Sequence, residues 1–288
     1  MSVAAIVVNY NAGPALQRCV QALLGGSLKP EVLVVDNAST DGSASRLNQV
    51  YGNHSGIQIL YNPSNLGFAP AVNRMVEQTT AEWILIINPD CVIGKDSLRL
   101  LKGALEETPA AGLAGPAVRD THGRLEKAAL RRFPDPWNSL VTLLGLWRLG
   151  RWIPWFRGVP VQPGPGERQP LKADAVSGAC MLVRRQAMVE VGLLDEEYGL
   201  HCEDLDLMYR LREAGWHCLY VPAAGAVHEQ GVSSRSRPLW VHRQKHLGMA
   251  RFFRKFVGPR YPMPVRWLVL AGIWLHYALT LPLAMLRR

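Results

Sequence analysis

Acidic side chains follow hydrophobic segments at several places in this sequence, where they could take part in binding or in proton transfer. Asp36 comes directly after the run EVLVV, and Asp90 comes shortly after WILII. Glu203 and Asp204 precede a segment whose apolar residues recur at four-residue spacing, which predicts a helix. A carboxylate can accept hydrogen bonds from a base or a ribose, or remove a proton from a hydroxyl. Each also has an ordinary structural use, because aspartate stabilises turns and acidic residues favour helix starts.

The elements that position these residues are predicted by the alternation of strand-like and helix-like segments in the first part of the chain. Strands are predicted near Val3–Val8, Glu31–Asp36, Ile57–Tyr61, Trp83–Asn88 and Ala111–Val118, and helices from Pro14, after Ser39–Gly42 and over Phe68–Thr79. This alternation is typical of an α/β fold with an open, mostly parallel nucleotide-binding sheet and flanking helices. The ligand of such a sheet lies outside the carboxyl ends of its strands.

Polar residues recur at those predicted strand ends. They are Asn9, Tyr10 and Asn11 after the first strand, Asp36 and Asn37 after the second, and Asn88, Pro89 and Asp90 after the fourth. The GxGxxG phosphate loop of a dinucleotide-binding fold is missing after the first strand, which disfavours a dehydrogenase.

Seven short segments follow one another between residues 3 and 235. They are VVNYNAG (7–13), VVDNASTDGS (34–43), NLGFAPAVNR (65–74), INPDC (87–91), SGACMLVRR (177–185), GLHCEDLDLMYRLREAGW (199–216) and VHEQGVS (227–233). In this order they resemble family-two GT-A glycosyltransferases, particularly the bacterial rhamnosyltransferase-like branch. The resemblance implies a GT-A domain over residues 1–235.

For the donor side, the resemblance implies that Asp36 binds the pyrimidine base of a nucleotide-sugar. The remaining donor-binding residues that it implies are Asn9, Tyr10, Asn11, Asn65, Gly67, Asn73 and Asn88. Asp90 would carry Mg²⁺ or Mn²⁺, and His228 could touch the metal or the diphosphate, although a structural histidine is the alternative. The family commonly has two acidic residues around a spacer at this point, whereas this chain has Asn88, Pro89 and Asp90. One protein carboxylate is sufficient in principle, because Mg²⁺ takes further ligands from water and phosphates.

For the acceptor side, the resemblance implies that Asp204 is the catalytic base of an inverting transfer. Glu203 would position the acceptor or tune Asp204, and Asp206 is interpreted as structural. An inverting transfer needs one base on the face of the sugar opposite the leaving group. The metal neutralises the charge that develops on the departing diphosphate.

The branch resemblance suggests transfer of L-rhamnose from dTDP-rhamnose to a lipid-linked saccharide in cell-envelope polysaccharide synthesis. UDP-sugar donors and a catalytically silent nucleotide-sugar-binding scaffold stay open as alternatives. A nucleotidyltransferase is disfavoured, because VVNYNAG is not a basic, glycine-rich phosphate loop. A processive polymer synthase is disfavoured because the chain has no QxxRW motif.

The excess positive charge lies at the C-terminal end. Of the 32 Lys and Arg residues in this chain of net charge +9, eleven fall in residues 231–288, which contain no Asp or Glu. They accompany a mostly apolar stretch, Trp267–Leu286, flanked by residues such as Arg266, Arg287 and Arg288. Residues 236–288 are therefore predicted to be a basic, apolar helical tail that associates with a membrane. A buried C-terminal helix is the alternative, and nucleic-acid binding has little support without a recognised module.

Residues 131–170 are interpreted as an insertion rich in Arg, Trp, Pro and Gly, lying in the membrane interface or forming a lid, with a mobile loop at 163–170. Five cysteines without a CxxC pair favour a reduced compartment. The first residues form an apolar run without a basic leader, which disfavours a secretory signal. The expected location is the cytoplasmic face of the inner membrane, held peripherally or by a single C-terminal anchor, and the sequence predicts no particular oligomeric state.

Overall fold

A mixed sheet of nine strands, flanked by helices, carries the candidate site. The structure is a computed structural model that describes residues 2–164, 166–232 and 237–286. The strands are β1 (Val3–Asn9), β2 (Glu31–Asp36), β3 (Ile57–Tyr61), β4 (Trp83–Ile87), β5 (Cys91–Ile93), β6 (Ala111–Arg119), β7 (Leu130–Arg131), β8 (Leu171–Ala173), β9 (Ala175–Val176), β10 (Cys180–Arg184) and β11 (His217–His228). The helices are α1 (Pro14–Leu24), α2 (Ser43–Tyr51), α3 (Phe68–Gln78), α4 (Ser97–Glu107), α5 (Pro136–Leu143), α6 (Arg185–Glu190), α7 (Glu203–Glu213), α8 (Pro238–Phe252) and α9 (Met263–Met285).

The strand order in the large sheet is β3-β2-β1-β4-β10-β6-β11-β5, with β8 paired to β11. Strands β3, β2, β1 and β4 run parallel, and β10 lies antiparallel between β4 and β6. The predicted α/β class, the five strands and the three helices of the N-terminal part are confirmed. The chain reverses its direction of winding at β1 and β4, so a crevice opens beyond their carboxyl ends.

The sequence forms these strands because they are covered on both faces. Every residue of β1 and of β4 is buried, which explains their continuous apolar runs. Helix α1 begins with Pro14, which suits the first helical position because its missing N–H has no partner there. Its buried residues Leu16, Val20 and Leu23 form one apolar stripe that packs on the sheet.

The 131–170 insertion contains helix α5 and two short 3-10 turns, 146–151 and 154–156. A capping box fixes the start of α5, because Asp135 and Asn138 exchange hydrogen bonds with each other's backbone N–H. Beyond it, Leu143, Trp152 and Trp155 are 60%, 66% and 69% exposed. Pro165, in the loop predicted to be mobile, lies outside the described residues.

The C-terminal segment consists of a part docked in the core and a helix, α9, that packs along α8 through contacts such as His246 with His276 and leaves most of its apolar surface exposed. Phe252, Phe253 and Val257 belong to the main hydrophobic core, so α8 and the turns after it pack against the rest of the fold. Among the described residues one helix, Met263–Met285, is long and apolar enough to cross a membrane, and its apolar window is not buried. The predicted boundary between residues 235 and 236 falls outside the described residues, as do Arg287 and Arg288, and the division into domains stays a prediction.

Candidate functional site

A buried polar network joins the carboxyl ends of β1 and β2. The Asn9 amide donates to Asp36 Oδ1 at 2.6 Å, to Ser43 Oγ at 2.8 Å and to Ser39 Oγ at 3.0 Å. The second carboxylate oxygen of Asp36 accepts the Ser39 N–H at 3.0 Å. The parallel register that places Asn9 beside Asp36 creates this contact. The Asp36 carboxylate therefore stabilises the turn after β2, and its contact with a base stays a prediction.

The loop after β1 is held against the loop after β2. Asn11 has a left-handed backbone, with φ of 52°, and its side-chain oxygen accepts the Thr40 N–H at 2.8 Å. The backbone N–H of Gly13 donates to Asp41 at 2.7 Å. Tyr10 is half-buried beside the Arg237 guanidinium, which lies 5.4 Å from the centre of its ring. The predicted nucleoside residues 9–11 thus form one preorganised wall of the crevice.

Asn65 and Gly67 form the turn that opens α3. The exposed Asn65 side chain accepts the Gly67 N–H at 2.9 Å, and Gly67 has φ of 94°, a value that favours glycine. The Gly67 carbonyl accepts the Asn37 side-chain amide at 2.9 Å, so this turn is tied to the end of β2. The structure brings these predicted donor residues to the same edge of the sheet as Asn9.

Asn73 has a different set of partners. Its amide donates to the Leu194 carbonyl and to Glu196 Oε1, both at 2.9 Å, and its oxygen accepts the Leu194 N–H at 3.0 Å. All the hydrogen-bonding groups of this amide are therefore engaged by the segment before α7. The structure gives Asn73 a role in positioning that segment, and its predicted support of the nucleoside pocket is not tested.

Asp90 and His228 face each other where β4 ends. Strand β5 pairs antiparallel with β11 and aligns Cys91 with His228, which brings the histidine next to Asp90. His228 Nε2 lies 3.2 Å from Asp90 Oδ1, and Nδ1 lies 3.0 Å from Glu126 Oε1. The other Asp90 oxygen accepts the Val232 N–H at 3.3 Å. Burial alone lowers the pKa of His228, but its hydrogen bonds to Asp90 and Glu126 outweigh that effect and raise its pKa to about 10.

The donor set at this place fits a divalent cation. Asp90 supplies carboxylate oxygens, and His228 Nε2, a nitrogen of the kind that binds divalent cations, lies 3.2 Å from Asp90 Oδ1. No group of three or more His, Cys, Asp or Glu suited to a metal ion occurs in the described part of the chain. A cation here would take its remaining ligands from diphosphate and water, as Mg²⁺ does in nucleotide sites.

Asp204 lies in the first turn of α7, next to Arg131 of β7 and close to Gly178. Its Oδ2 accepts a hydrogen bond from Arg131 at 2.7 Å, and the same guanidinium nitrogen donates to the Val176 carbonyl at 2.7 Å. Gly178 leaves room for the carboxylate, because a Cβ there would lie 2.8 Å from both Cβ and Oδ2 of Asp204. The Arg131 guanidinium therefore holds the Asp204 carboxylate in one position, in space that is open because Gly178 has no side chain.

The two residues before α7 adopt a costly backbone. His201 and Cys202 have φ of 69° and 73°, in the left-handed region that non-glycine residues seldom occupy. Such conformations cost about 1–3 kcal/mol each and occur where the surrounding structure imposes them. Here they turn the chain sharply into α7 and place Glu203 and Asp204 on its first turn.

Glu203 has the opposite environment from Asp204. The residue is 8% exposed, and its Oε2 has no hydrogen-bond partner. Burial, followed by the nearby charge of Asp204, raises the pKa of Glu203 to about 8. Burial therefore favours the protonated form of Glu203, while the more accessible Asp204 is paired with Arg131.

Backbone hydrogen bonding links the two acidic centres. The Asn88 N–H, two residues before Asp90, donates to the Ala179 carbonyl at 2.9 Å. Ala179 follows Gly178, on which Asp204 packs. The candidate metal site and the candidate base thus share one edge of the sheet, at the ends of β4 and β10.

Glu126 and Arg131 were not singled out in the sequence as site residues. Both lie between β6 and α5, outside the recognised segments, and their partners are 102 and 73 residues away in the chain. The sequence offers one signal for them: each is a charged residue next to an apolar one, Leu125 or Leu130. Such a residue is expected to have a polar partner if it is buried, but the signal does not say which partner.

The fold, the acidic centres and the crevice together define a GT-A glycosyltransferase. Residues 4–192 match the family described as "Glycosyl transferase family 2", and residues 165–247 match "Glycosyltransferase like family 2". The chain belongs to glycosyl transferase family 2, and it is rhamnosyltransferase-like within that family.

Two curated relatives show the similarity to rhamnosyltransferases. The chain is 32% identical over 276 residues to the N-acetylglucosaminyl-diphospho-decaprenol L-rhamnosyltransferase of Mycobacterium tuberculosis. The alignment covers 91% of this chain and 87% of that relative. The chain is 24% identical over 239 residues to rhamnosyltransferase WbbL of Escherichia coli, which covers 80% of this chain and 84% of the relative.

Solved structures share the fold at lower identity. A mannosyltransferase from Pyrobaculum calidifontis, in complex with GDP-Man and Mn²⁺, superposes with a TM-score of 0.59 at 18% identity, covering 99% of this chain and 73% of the other. GalNAc-T7 with UDP, GalNAc and Mn²⁺ gives 0.62 at 15% identity, covering 92% of this chain. This chain spans 53% of the length of the GalNAc-T7 chain.

Proposed function

We propose that the chain is an inverting, metal-dependent transferase that moves L-rhamnose from dTDP-rhamnose to a lipid-linked saccharide in cell-envelope glycan synthesis. The observation that carries the reaction type is the arrangement of two acidic centres at one edge of the sheet. Asp90 and His228 converge on one point, and Asp204 is fixed at the start of α7. The choice of rhamnose and of a lipid-linked acceptor is supported by the 32% identical mycobacterial relative, whose name states both.

On the donor side, Asn9, Asp36 and the loops tied to them would bind the nucleoside. Asp90 and His228 would hold Mg²⁺ or Mn²⁺, which supplies Lewis-acid neutralisation of the departing diphosphate. The same side has no second carboxylate at position 88, where Asn88 stands. His228 is then the second protein ligand that the donor set offers.

On the acceptor side, Asp204 accepts the proton of the attacking hydroxyl while that oxygen forms its bond to the anomeric carbon. The bond from the anomeric carbon to the diphosphate breaks, and its electron pair leaves with the nucleoside diphosphate. Attack from the opposite face inverts the anomeric configuration. Arg131 holds the Asp204 carboxylate in place, and Glu203 lies buried beside it in the first turn of α7.

The proposed setting is the cytoplasmic face of the membrane that carries the acceptor. Helix α9 exposes Trp267, Leu268, Leu279 and other large apolar residues. The α5 insertion exposes Trp137, Trp152 and Trp155, and the Arg151 guanidinium lies 4.5 Å from the centre of the Trp152 ring. Tryptophan favours the headgroup region and arginine favours anionic lipid. Both surfaces therefore suit a peripheral or singly anchored enzyme working on a lipid-linked substrate.

The first experiment is calorimetric titration of the full chain with dTDP-rhamnose, UDP-glucose, UDP-galactose and GDP-mannose in Mg²⁺. We expect selective binding of dTDP-rhamnose. Preference for a UDP-sugar would reject dTDP-rhamnose as the donor, and absence of any binding would contradict both the proposed transferase and the nucleotide-sugar-binding scaffold.

The second experiment separates binding from chemistry. Asp204→Asn should reduce kcat by at least about 10³-fold while the Kd of the donor changes little, since the base acts on the acceptor. Glu213→Gln, an exposed change on the same helix, is the matched control. NMR of the product should show an anomeric configuration opposite to that of the donor, and retention would contradict the mechanism.

A further inference from the structure

Glu126 is a buried carboxylate with no role in the function proposed above. It is 8% exposed and lies in the connection between β6 and β7. Its backbone is fixed on both sides, because its N–H donates to the Val118 carbonyl and its carbonyl accepts the Ala129 N–H, both at 3.0 Å. A buried carboxylate needs a partner to offset its desolvation, and here the partner is His228 Nδ1 at 3.0 Å.

The contact determines what the other side of the imidazole can do. An ionised carboxylate only accepts hydrogen bonds, so His228 must donate its Nδ1–H to Glu126. When a cation displaces the proton of Nε2, the hydrogen bond to Glu126 keeps the remaining proton on Nδ1, and the lone pair is then on Nε2, the atom that lies 3.2 Å from Asp90. The rigid backbone of Glu126 also fixes the plane of the ring.

We infer that Glu126 is a positioning residue that holds His228 in the tautomer and orientation needed to bind the cation beside Asp90. This inference rests on the proposed function of the Asp90 and His228 site. Histidine ligands usually donate their second N–H to a carboxylate or a carbonyl, which raises their basicity, and loss of that partner typically weakens metal affinity about 10–100-fold.

The inference also accounts for the neutral residue at position 88. A site with Asp90 as its single carboxylate depends more heavily on its second protein ligand than a site with two carboxylates. A histidine backed by Glu126 binds more strongly than a histidine that is free to rotate or to change tautomer. Glu126 thus brings a second negative charge to the site without contacting the cation.

The test measures Mn²⁺ affinity of the full chain directly, with dTDP present, by calorimetry and by the Mn²⁺ EPR signal. Glu126→Ala should raise the Kd for Mn²⁺ about 10–100-fold, and Glu126→Gln, which keeps the shape and an acceptor oxygen, should give a smaller rise. Glu107→Gln, an exposed change on α4, should leave the Kd unchanged. A Kd within about twofold of wild type in both Glu126 variants would overturn the inference, and Glu126→Gln decides if Glu126→Ala does not fold.

A double-mutant cycle separates positioning from a general effect on folding. Once His228 is replaced by alanine, adding Glu126→Ala should weaken Mn²⁺ binding no further, because Glu126 acts through His228. Equal additional weakening in both backgrounds would contradict that route. If Asp90→Asn and His228→Ala leave Mn²⁺ affinity intact, the metal site itself is wrong and the inference fails with it. If those two lose affinity and the Glu126 variants do not, only the role of Glu126 fails.

Discussion

Replacing Glu203 by glutamine tests whether the folded protein holds this buried acid of α7 in its protonated form, and how much that costs in stability as the pH rises. Glutamine has the shape of a protonated glutamic acid and cannot ionise, so it mimics the state of Glu203 that the structure favours at neutral pH. The carboxyl is buried, its Oε2 has no partner, and its pKa is raised to about 8 by burial and then by Asp204.

The sign and the size of the effect follow from linkage. In the unfolded chain a glutamate has its ordinary pKa near 4.3, so between that pH and about 8 the folded protein holds a proton that the unfolded chain has lost. Stability from this group is therefore fully present below the unfolded pKa and is lost as the pH rises through about 8. Each pKa unit corresponds to about 1.4 kcal/mol, so the loss between about pH 5 and pH 8 is on the order of 4 kcal/mol.

The assay is urea unfolding at closely spaced pH values from about 5 to 9, with wild type, Glu203→Gln and the exposed control Glu213→Gln. We expect Glu203→Gln to match wild type near pH 5 and to be more stable by several kcal/mol near pH 8.5, while Glu213→Gln follows wild type throughout. Parallel stability curves for wild type and Glu203→Gln would refute the argument, because they would show that Glu203 titrates equally in both states.

Three further predictions concern the fit of Gly178 against Asp204, the ion pair of Lys255, and the apolar C-terminal helix. Gly178→Ala should lower kcat about 10–100-fold with the donor Kd unchanged, because its Cβ would displace the Asp204 carboxylate; an unaltered kcat would show that this fit is unimportant. Lys255→Met should lower the free energy of unfolding by about 1–3 kcal/mol in urea titrations, since Lys255 pairs with the fully buried Asp206 and only one cation remains there. Removal of residues 263–288 should abolish sedimentation with anionic vesicles, and undiminished sedimentation would assign membrane binding to the α5 insertion.

The parallel half of the sheet could be predicted because β1, β2 and β4 are short, mostly buried apolar runs, and all four of its strands lie between clear turn and helix signals. The register of β1 and β2 then follows, and it places Asn9 beside Asp36. The antiparallel part could not be predicted in the same way. Strand β10 lies between β4 and β6, and this order depends on pairing between residues far apart in the chain, such as Leu182 with Ala114.

The residues of the candidate site also differ in how far they could be predicted from the sequence. Residues whose role depends on a local motif, such as Asp90 and Asp204, could be chosen from the sequence by resemblance. Residues whose role depends on a distant partner, such as Glu126 and Arg131, could not, because nothing in the local sequence names His228 or Asp204 as that partner. The structure also shows Asp206 paired with Arg210 and Lys255 inside the fold, in keeping with its interpretation as structural.

The contrast between Glu203 and Asp204 supports the choice of the base. Two adjacent carboxylates on one helical turn cannot both ionise at low cost unless a cation neutralises one of them. Arg131 lies 2.7 Å from Asp204 and forms an ion pair with it, whereas burial and the nearby Asp204 raise the pKa of Glu203, so the pair favours negative charge on Asp204. Pairs of acids whose surroundings push them into different protonation states are how sites assign separate roles to them. The more accessible Asp204, paired with Arg131, is therefore the better placed of the two carboxylates to accept a proton from a hydroxyl, whereas the protonated form of the buried Glu203 cannot act as a base.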